Sequence, residues 1–306
     1  MTTLSNPRLD SLHVGVVSHD AGAANMIFGW LQACHPRTIS ANLSGPAIRI
    51  AEASGLKIKR LDPESIDNSL DLLITGTSFC SEDEHNARTI AREKGVRCIG
   101  VIDHWVNYKE RFIFQSQECL PNEIWVGDKE AFVIAEASFP RTRVHLYKNN
   151  YTYQTLRRIE EYDELRGTDD LVHVLYVLEP FRRKWLSQTN PDGEFAVLDY
   201  WLQNWTASSI GKNASVRFRP HPSDVRGKYD QWIAAARLHC NIALDDSDSL
   251  EKSISWSDIV LGCESNAMAI ALEANRIVVT TIPPDAGLCR LPHSNILRLT
   301  DFLKSQ

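Results

Sequence analysis

Short runs of β-branched and aliphatic residues alternate with segments of helical period along nearly the whole chain. No other feature of the sequence restricts the fold as much. "HVGVVS", "DLLIT" and "CIGVI" in the first half, and "HVLYV", "DIVLG" and "RIVVT" in the second, are apolar at almost every position. A strand that is apolar on both faces must be covered on both, and parallel sheets flanked by helices do this. The linking segments, such as "AGAANMIFGWLQAC" and "SNAMAIALEAN", have helical spacing. In "SEDEHNARTIAREKG" Ser81 and Glu84 read as a capping box, with Gly95 as the stop.

The alternation comes as two successive series joined near residues 150–170. With 306 residues available, we read an α/β protein of two Rossmann-like domains facing a cleft, bounded at 1–150 and 151–306. A hydrophobic share of 43% and a charged share of 24% describe a globular chain with sizeable cores. The net charge of -6 and the lack of a basic run argue against nucleic acid as a partner. "MTTLSNPRLD" has no secretory pattern, and the apolar stretch Ile259–Ile282 is interrupted by Glu264, Glu273 and Arg276. The seven cysteines include no CxxC spacing, which suits thiols in a reducing compartment. A cytoplasmic location is expected, and peripheral membrane association stays open, as does the oligomeric state.

"VRFRPHPSD" stands out within this pattern. A strand runs into Arg219 and Pro220, and His221 is held between two prolines in a stiff extended turn, with Pro222 after it. Strand carboxyl ends are where α/β proteins place ligand-binding side chains, which makes Arg219 and Pro222 substrate-binding candidates along with His221. Later, "DIVLGCESNAMAIALEA" puts a tight Gly262–Cys263–Glu264 turn before a helix that starts near Ser265. The N–H groups and dipole of that helix end suit a phosphate, with Ser265 and Asn266 as capping or donor groups. Ordinary capping is the plain alternative.

"RPHP" followed by "DSLEKSISWSDIVLG" and "ESNAMAIALEA" resembles the carboxyl-terminal domain of GT-B glycosyltransferases, in particular bacterial sialyltransferases and capsule-type transferases with an HP motif. The likeness covers roughly residues 214–282. It implies that His221 and Pro222 form the HP motif and that Ser265 opens the later hydroxyl pair, both holding the phosphate of a nucleotide sugar. Asn266 stands where a second Ser or Thr is usual. The second domain would then bind the nucleotide-sugar donor, and the first a saccharide or glycoconjugate acceptor. No cofactor and no metal is implied.

A base for the acceptor hydroxyl is expected from the first half. Asp103, after "CIGVI", is the favoured candidate, with His104 beside it and Trp105 and Tyr108 as a sugar-stacking wall. Asp20 is the other, with His19 before it and Gly22 opening the next helix. Thr77, between Gly76 and Ser78, offers a hydroxyl at another strand end. Arg111 and Lys109 are candidates for an acidic acceptor. In the second half, Glu179 and Pro180 are candidates for ribose or base, and Arg182 and Arg183 for phosphate.

Several signals are set aside. "GAAN" is not the dinucleotide fingerprint, "DSD" at 246–248 reads as helix capping, and no GxSxG or HExxH is present. The expected activity is metal-independent transfer of a sugar from a nucleotide donor in surface-polysaccharide or glycoconjugate synthesis. Two rivals remain, a UDP-N-acetylglucosamine 2-epimerase-like enzyme and a non-catalytic nucleotide-sugar-binding protein of the same shape.

Overall fold

The computed structural model describes residues 4–167, 169–179, 193–222 and 224–305. The chain divides into two compact units, Met1–Tyr153 and Gln154–Gln306.

The first unit runs β1 (His13–Ser18), α1 (Ala21–Ala33), β2 (Thr38–Leu43), α2 (Pro46–Ser54), β3 (Ile58–Arg60), β4 (Leu72–Thr75), α3 (Asp83–Lys94) and β5 (Cys98–Val101). A small antiparallel hairpin, β6 (Ile113–Phe114) and β7 (Gln117–Glu118), follows, then β8 (Glu123–Val126), α4 (Lys129–Ser138) and β9 (Arg143–Leu146). Seven strands form a parallel sheet in the order β3-β2-β1-β4-β5-β8-β9. The chain therefore moves outward from β1 to β3, then crosses back to the other side of β1. β1 and β4 adjoin there in register, Val17 opposite Thr75.

In the second unit α5 (Asn150–Asp163), which begins in the first, precedes β10 (Val172–Val177), α6 (Gly193–Thr206), β11 (Ala214–Arg219), α7 (Asp230–Ala236) and β12 (Ile242–Leu244). The chain continues through α8 (Leu250–Trp256), β13 (Ile259–Gly262), α9 (Asn266–Glu273), β14 (Ile277–Thr280), β15 (Leu297–Arg298) and α10 (Leu299–Lys304). The six-stranded order is β12-β11-β10-β13-β14-β15, again parallel. Its reversal lies between β10 and β13. Both units are thus Rossmann-like, and each has one point where strand order reverses, the place where such sheets bind ligands.

Burial follows from the strand composition. β4, β5, β8 and β13 are buried at every residue. Trp201 and Trp205, one turn apart on α6, are fully buried and pack with Tyr176 and Phe218. Truncating either to alanine would cost about 3–5 kcal/mol.

Local details depart from the sequence reading. Helix α1 opens at Ala21, before Gly22. The β6–β7 hairpin and the terminal β15–α10 pair carry too little period to be read in advance. The capping box does not form. Ser81 Oγ accepts the Asp83 N–H at 3.1 Å, and the Glu84 carboxylate is drawn into the sheet edge instead. Gly95 does end α3.

Candidate functional site

The carboxyl edge of the second sheet carries the turn after β11. His221 is exposed, and its backbone is fixed by Asp224, a residue to which the sequence reading gave no role. Asp224 Oδ2 accepts from the His221 N–H at 2.9 Å and from the Tyr229 hydroxyl at 3.1 Å, while the Asp224 N–H donates to the His221 carbonyl at 2.8 Å. Its other oxygen pairs with Lys228 Nζ at 2.6 Å. The prolines limit φ, but this buried carboxylate sets the turn. Pro222 is exposed beside His221. Arg219 faces another way: its Nη1 donates to Asp245 Oδ2 at 2.6 Å, Ser253 Oγ at 2.8 Å and the Ser247 carbonyl at 3.2 Å, which ties β11 to the loop after β12.

At the reversal point, Glu179 follows β10 and lies on the loop after β13. Its Oε1 accepts the N–H groups of Cys263 at 3.2 Å and Glu264 at 2.6 Å. Burial pushes the Glu179 carboxyl up to about 7, against the backbone N–H bonds and together with the negative field of Glu264. Ser265 is the N-cap of α9, its Oγ accepting the Ala267 N–H at 3.3 Å, and Asn266 is the exposed first residue of the helix. Glu264 is buried, with both oxygens held by Arg290 through its Nε at 2.8 Å and its backbone N–H at 3.1 Å. Pro180, Arg182 and Arg183 lie outside the described residues.

The first unit repeats this arrangement. Glu84, buried on α3, accepts the His19 N–H at 2.9 Å after β1 and the Ser78 N–H after β4. One carboxylate thus joins the two loops at the reversal point. Burial pushes it up to about 7, opposed by those two N–H bonds and by Arg88. Gly76 has no room for a Cβ, because Glu84 Oε1 occupies that space. Next to it, His19 Nδ1 and Asp20 Oδ1 are 2.8 Å apart. Asp103 lies against the first turn of α1, where its Oδ2 fills the position that a side chain on Gly22 would take. Its Oδ1 accepts from Arg111 Nη1 at 3.3 Å. Thr77 Oγ1 donates to the Val101 carbonyl at 3.0 Å. Asp20, His19, Gly22, Asp103 and Thr77 therefore gather at one sheet edge.

Other first-unit expectations are revised. Trp105 and Tyr108 are buried, the indole donating to Asp128 Oδ1 at 3.0 Å and the phenol to the Ala131 carbonyl at 3.3 Å, so neither forms an open sugar wall. His104 Nδ1 accepts the Trp105 N–H at 2.9 Å. Arg111 is turned inward, donating to the carbonyls of Val106 at 3.1 Å and Thr77 at 3.3 Å. Lys109 remains exposed. Glu84, Arg88, Asp224 and Arg290 were missed. For Glu84 and Arg88 a signal exists, two opposite charges four apart on the face of α3 that also carries Ala87 and Ala91.

No protein-family model matches the chain, and no curated protein does. Among solved structures it is similar to one from Listeria monocytogenes assigned as a UDP-N-acetylglucosamine 2-epimerase, with a TM-score of 0.59 at 11% identity over 88% of this chain and 79% of that one. The UDP-GlcNAc 2-epimerase of Methanocaldococcus jannaschii aligns with a TM-score of 0.57 at 9% identity, covering 88% and 83% of the two chains. A weaker likeness, TM-score 0.47 at 12% identity over 90% and 78%, is to MurG of Acinetobacter baumannii. At these identities the likeness is one of fold, two Rossmann-like domains in one chain.

Proposed function

We propose that the protein is a nucleotide-sugar enzyme, a glycosyltransferase whose second unit holds the donor and whose first unit supplies the acceptor-side groups. The observation that carries this is the reversal point of the second sheet. There a buried carboxylate already sits on the backbone N–H groups of Cys263 and Glu264, in front of a helix capped by Ser265. Amides that bind one anion can bind another, and the adjoining β11 edge presents His221. In this reading the donor phosphate takes the place of Glu179, with His221 and Ser265 as further donors. Glu264, fixed by Arg290, and Asn266 serve the rest of the nucleotide sugar.

The transfer step follows from ordinary chemistry. The acceptor oxygen bonds to the anomeric carbon, its proton passes to a base, and the bond from that carbon to the donor phosphate oxygen breaks with both electrons leaving on the phosphate. Helix dipole and hydrogen bonds stabilise the charge that develops there. Of the two base candidates, Asp103 is ion-paired to Arg111, whereas Asp20 is paired to an imidazole. The His19–Asp20 pair is therefore the stronger proton acceptor: the carboxylate orients the ring and supports its charge once protonated. The acceptor is a saccharide or glycoconjugate. Among the described residues no helix is long and apolar enough to cross a membrane.

A second reading, a UDP-N-acetylglucosamine 2-epimerase-like activity, is favoured by the two solved structures most similar in TM-score among those named above. One experiment separates the two. CMP-, UDP-, GDP- and dTDP-sugars are screened by thermal shift on the native protein and on His221→Ala, and the stabilising donor is then followed by NMR. Stabilisation of the native protein alone, with free nucleotide released only when an acceptor is added, supports transfer. An isomerised sugar nucleotide formed without acceptor supports epimerisation. Equal stabilisation of both proteins removes His221 from the site.

A further inference from the structure

Against the loop that follows β4 lies a cavity of about 270 Å³. It is lined by residues 78–82, by two residues of α3, and by Glu110, Arg111, Ile113 and Phe114, all within the first unit. Arg88 and His85, three apart on α3 and both more than nine-tenths buried, line its inner side. Arg88 donates through Nη1 to Thr75 Oγ1 at 3.2 Å and the Gly76 carbonyl at 3.0 Å, and through Nη2 to the Arg111 carbonyl at 3.5 Å. All of these acceptors are neutral, and among the described residues no carboxylate lies within ion-pair distance of Arg88. Among the described residues its Nε has no hydrogen-bond partner, and neither does His85 Nδ1. Burial and the neighbouring Arg88 and Arg92 hold the His85 imidazole below its ordinary pKa, so the ring is neutral and can both donate and accept.

A buried guanidinium whose hydrogen bonds all go to neutral acceptors, with Glu84 acting on it only through its field, gains from an anion placed directly beside it. The rest of the lining narrows what the anion belongs to. Phe79 is 57% exposed at the mouth, with the Arg111 guanidinium 5.4 Å from its ring centre, and Phe114 lies 5.5 Å from the His85 ring. Ser78 and Ser81 add hydroxyls. Glu82 and Glu110 stand exposed at the rim, where they would repel a second negative charge. The volume suits a single sugar ring. We propose that this cavity binds a monosaccharide carrying one carboxylate, its acid group on Arg88 and His85 and its ring against Phe79. The inference stands on the first unit alone and does not need the transferase reading.

The test is saturation-transfer NMR and thermal shift on the intact protein, with D-glucuronate, D-glucose and glucose 6-phosphate as probes. Glucuronate should bind and raise the melting temperature, and glucose should do neither. Phe79→Ala and Arg88→Gln should each weaken glucuronate, Arg88→Gln by about tenfold or more. His221→Ala should leave glucuronate binding unchanged, which separates this site from the proposed donor site. Should Arg88→Gln fail to fold, the exposed Phe79→Ala decides. Absence of glucuronate binding, equal binding of glucose, tighter binding of glucose 6-phosphate, or indifference to Phe79→Ala would each overturn the proposal.

Discussion

Replacing Glu179 by glutamine tests the most unusual group in the second unit. The carboxyl is buried on two backbone N–H groups, and burial carries its pKa from 4.5 to about 7. Such a rise, net of the backbone N–H bonds at the start of α9 that favour the charged form, corresponds to about 3 kcal/mol of preference for the neutral form. The sign is that of an acid whose pKa is raised by folding. Between pH 4.5 and about 7 the folded chain keeps a proton that the unfolded chain has released. This contribution to stability is complete below the lower value and is lost as pH rises through the upper one. Glutamine is neutral at every pH and keeps an oxygen for the same N–H groups. The variant should match the native protein near pH 5 and exceed it by about 3 kcal/mol near pH 8. Urea unfolding at the two pH values, followed by amide exchange in β10 and β13 so that the second unit is read separately, measures the difference. A variant that is less stable at pH 8 than the native protein would refute the reasoning, because the charge would then be holding the β13 loop in place.

Three further outcomes follow from the same geometry. Gly22→Ala pushes a methyl group into Asp103 and should cost about 1–3 kcal/mol, seen as a lower melting temperature. Asp224→Ala removes the acceptor that fixes the His221 backbone and the partner of Lys228. Donor affinity should fall almost as far as in His221→Ala, although residue 224 need not touch ligand, and isothermal titration with the donor found by thermal shift compares the two. His19→Ala and Asp20→Asn should lower kcat by about 10²–10⁴ with little change in KM if the pair takes the acceptor proton. Unchanged turnover in both would transfer the role to Asp103.

The order of strands and helices was legible because parallel strands, covered on both faces, write continuous apolar runs into the sequence. The small hairpin at 113–118 and the terminal β15–α10 pair were not, since two-residue strands carry no period. Strand ends were legible as places, which is why His19, Asp20, Asp103, Glu179 and His221 could be picked out. Their partners were not. Whether Arg111 faces solvent or Asp103 depends on contacts formed when distant segments meet. Glu84 looked like a helix cap because it stands three positions after Ser81, yet the amides of His19 and Ser78 hold it more firmly. Local spacing lost to a buried carboxylate's need for N–H donors.

The two sheets meet the same electrostatic problem in the same way. Where strand order reverses, the loops after the two adjoining strands diverge and leave their first N–H groups without sheet partners. In the first unit Glu84 collects the N–H groups of His19 and Ser78, and in the second Glu179 collects those of Cys263 and Glu264. Both carboxyls are pushed up to about 7 by burial. A ligand anion arriving at either point therefore meets an acid close to its own midpoint near neutral pH, one that protonation can neutralise at little cost. In the second unit, where the proposed donor phosphate and Glu179 want the same amides, donor affinity should rise as pH falls from 8 to 6. In Glu179→Gln it should be high and nearly independent of pH across that range. A native protein that binds the donor more tightly at pH 8 than at pH 6 would mean that phosphate and carboxylate do not compete, and the amides after β13 would then belong to the fold alone.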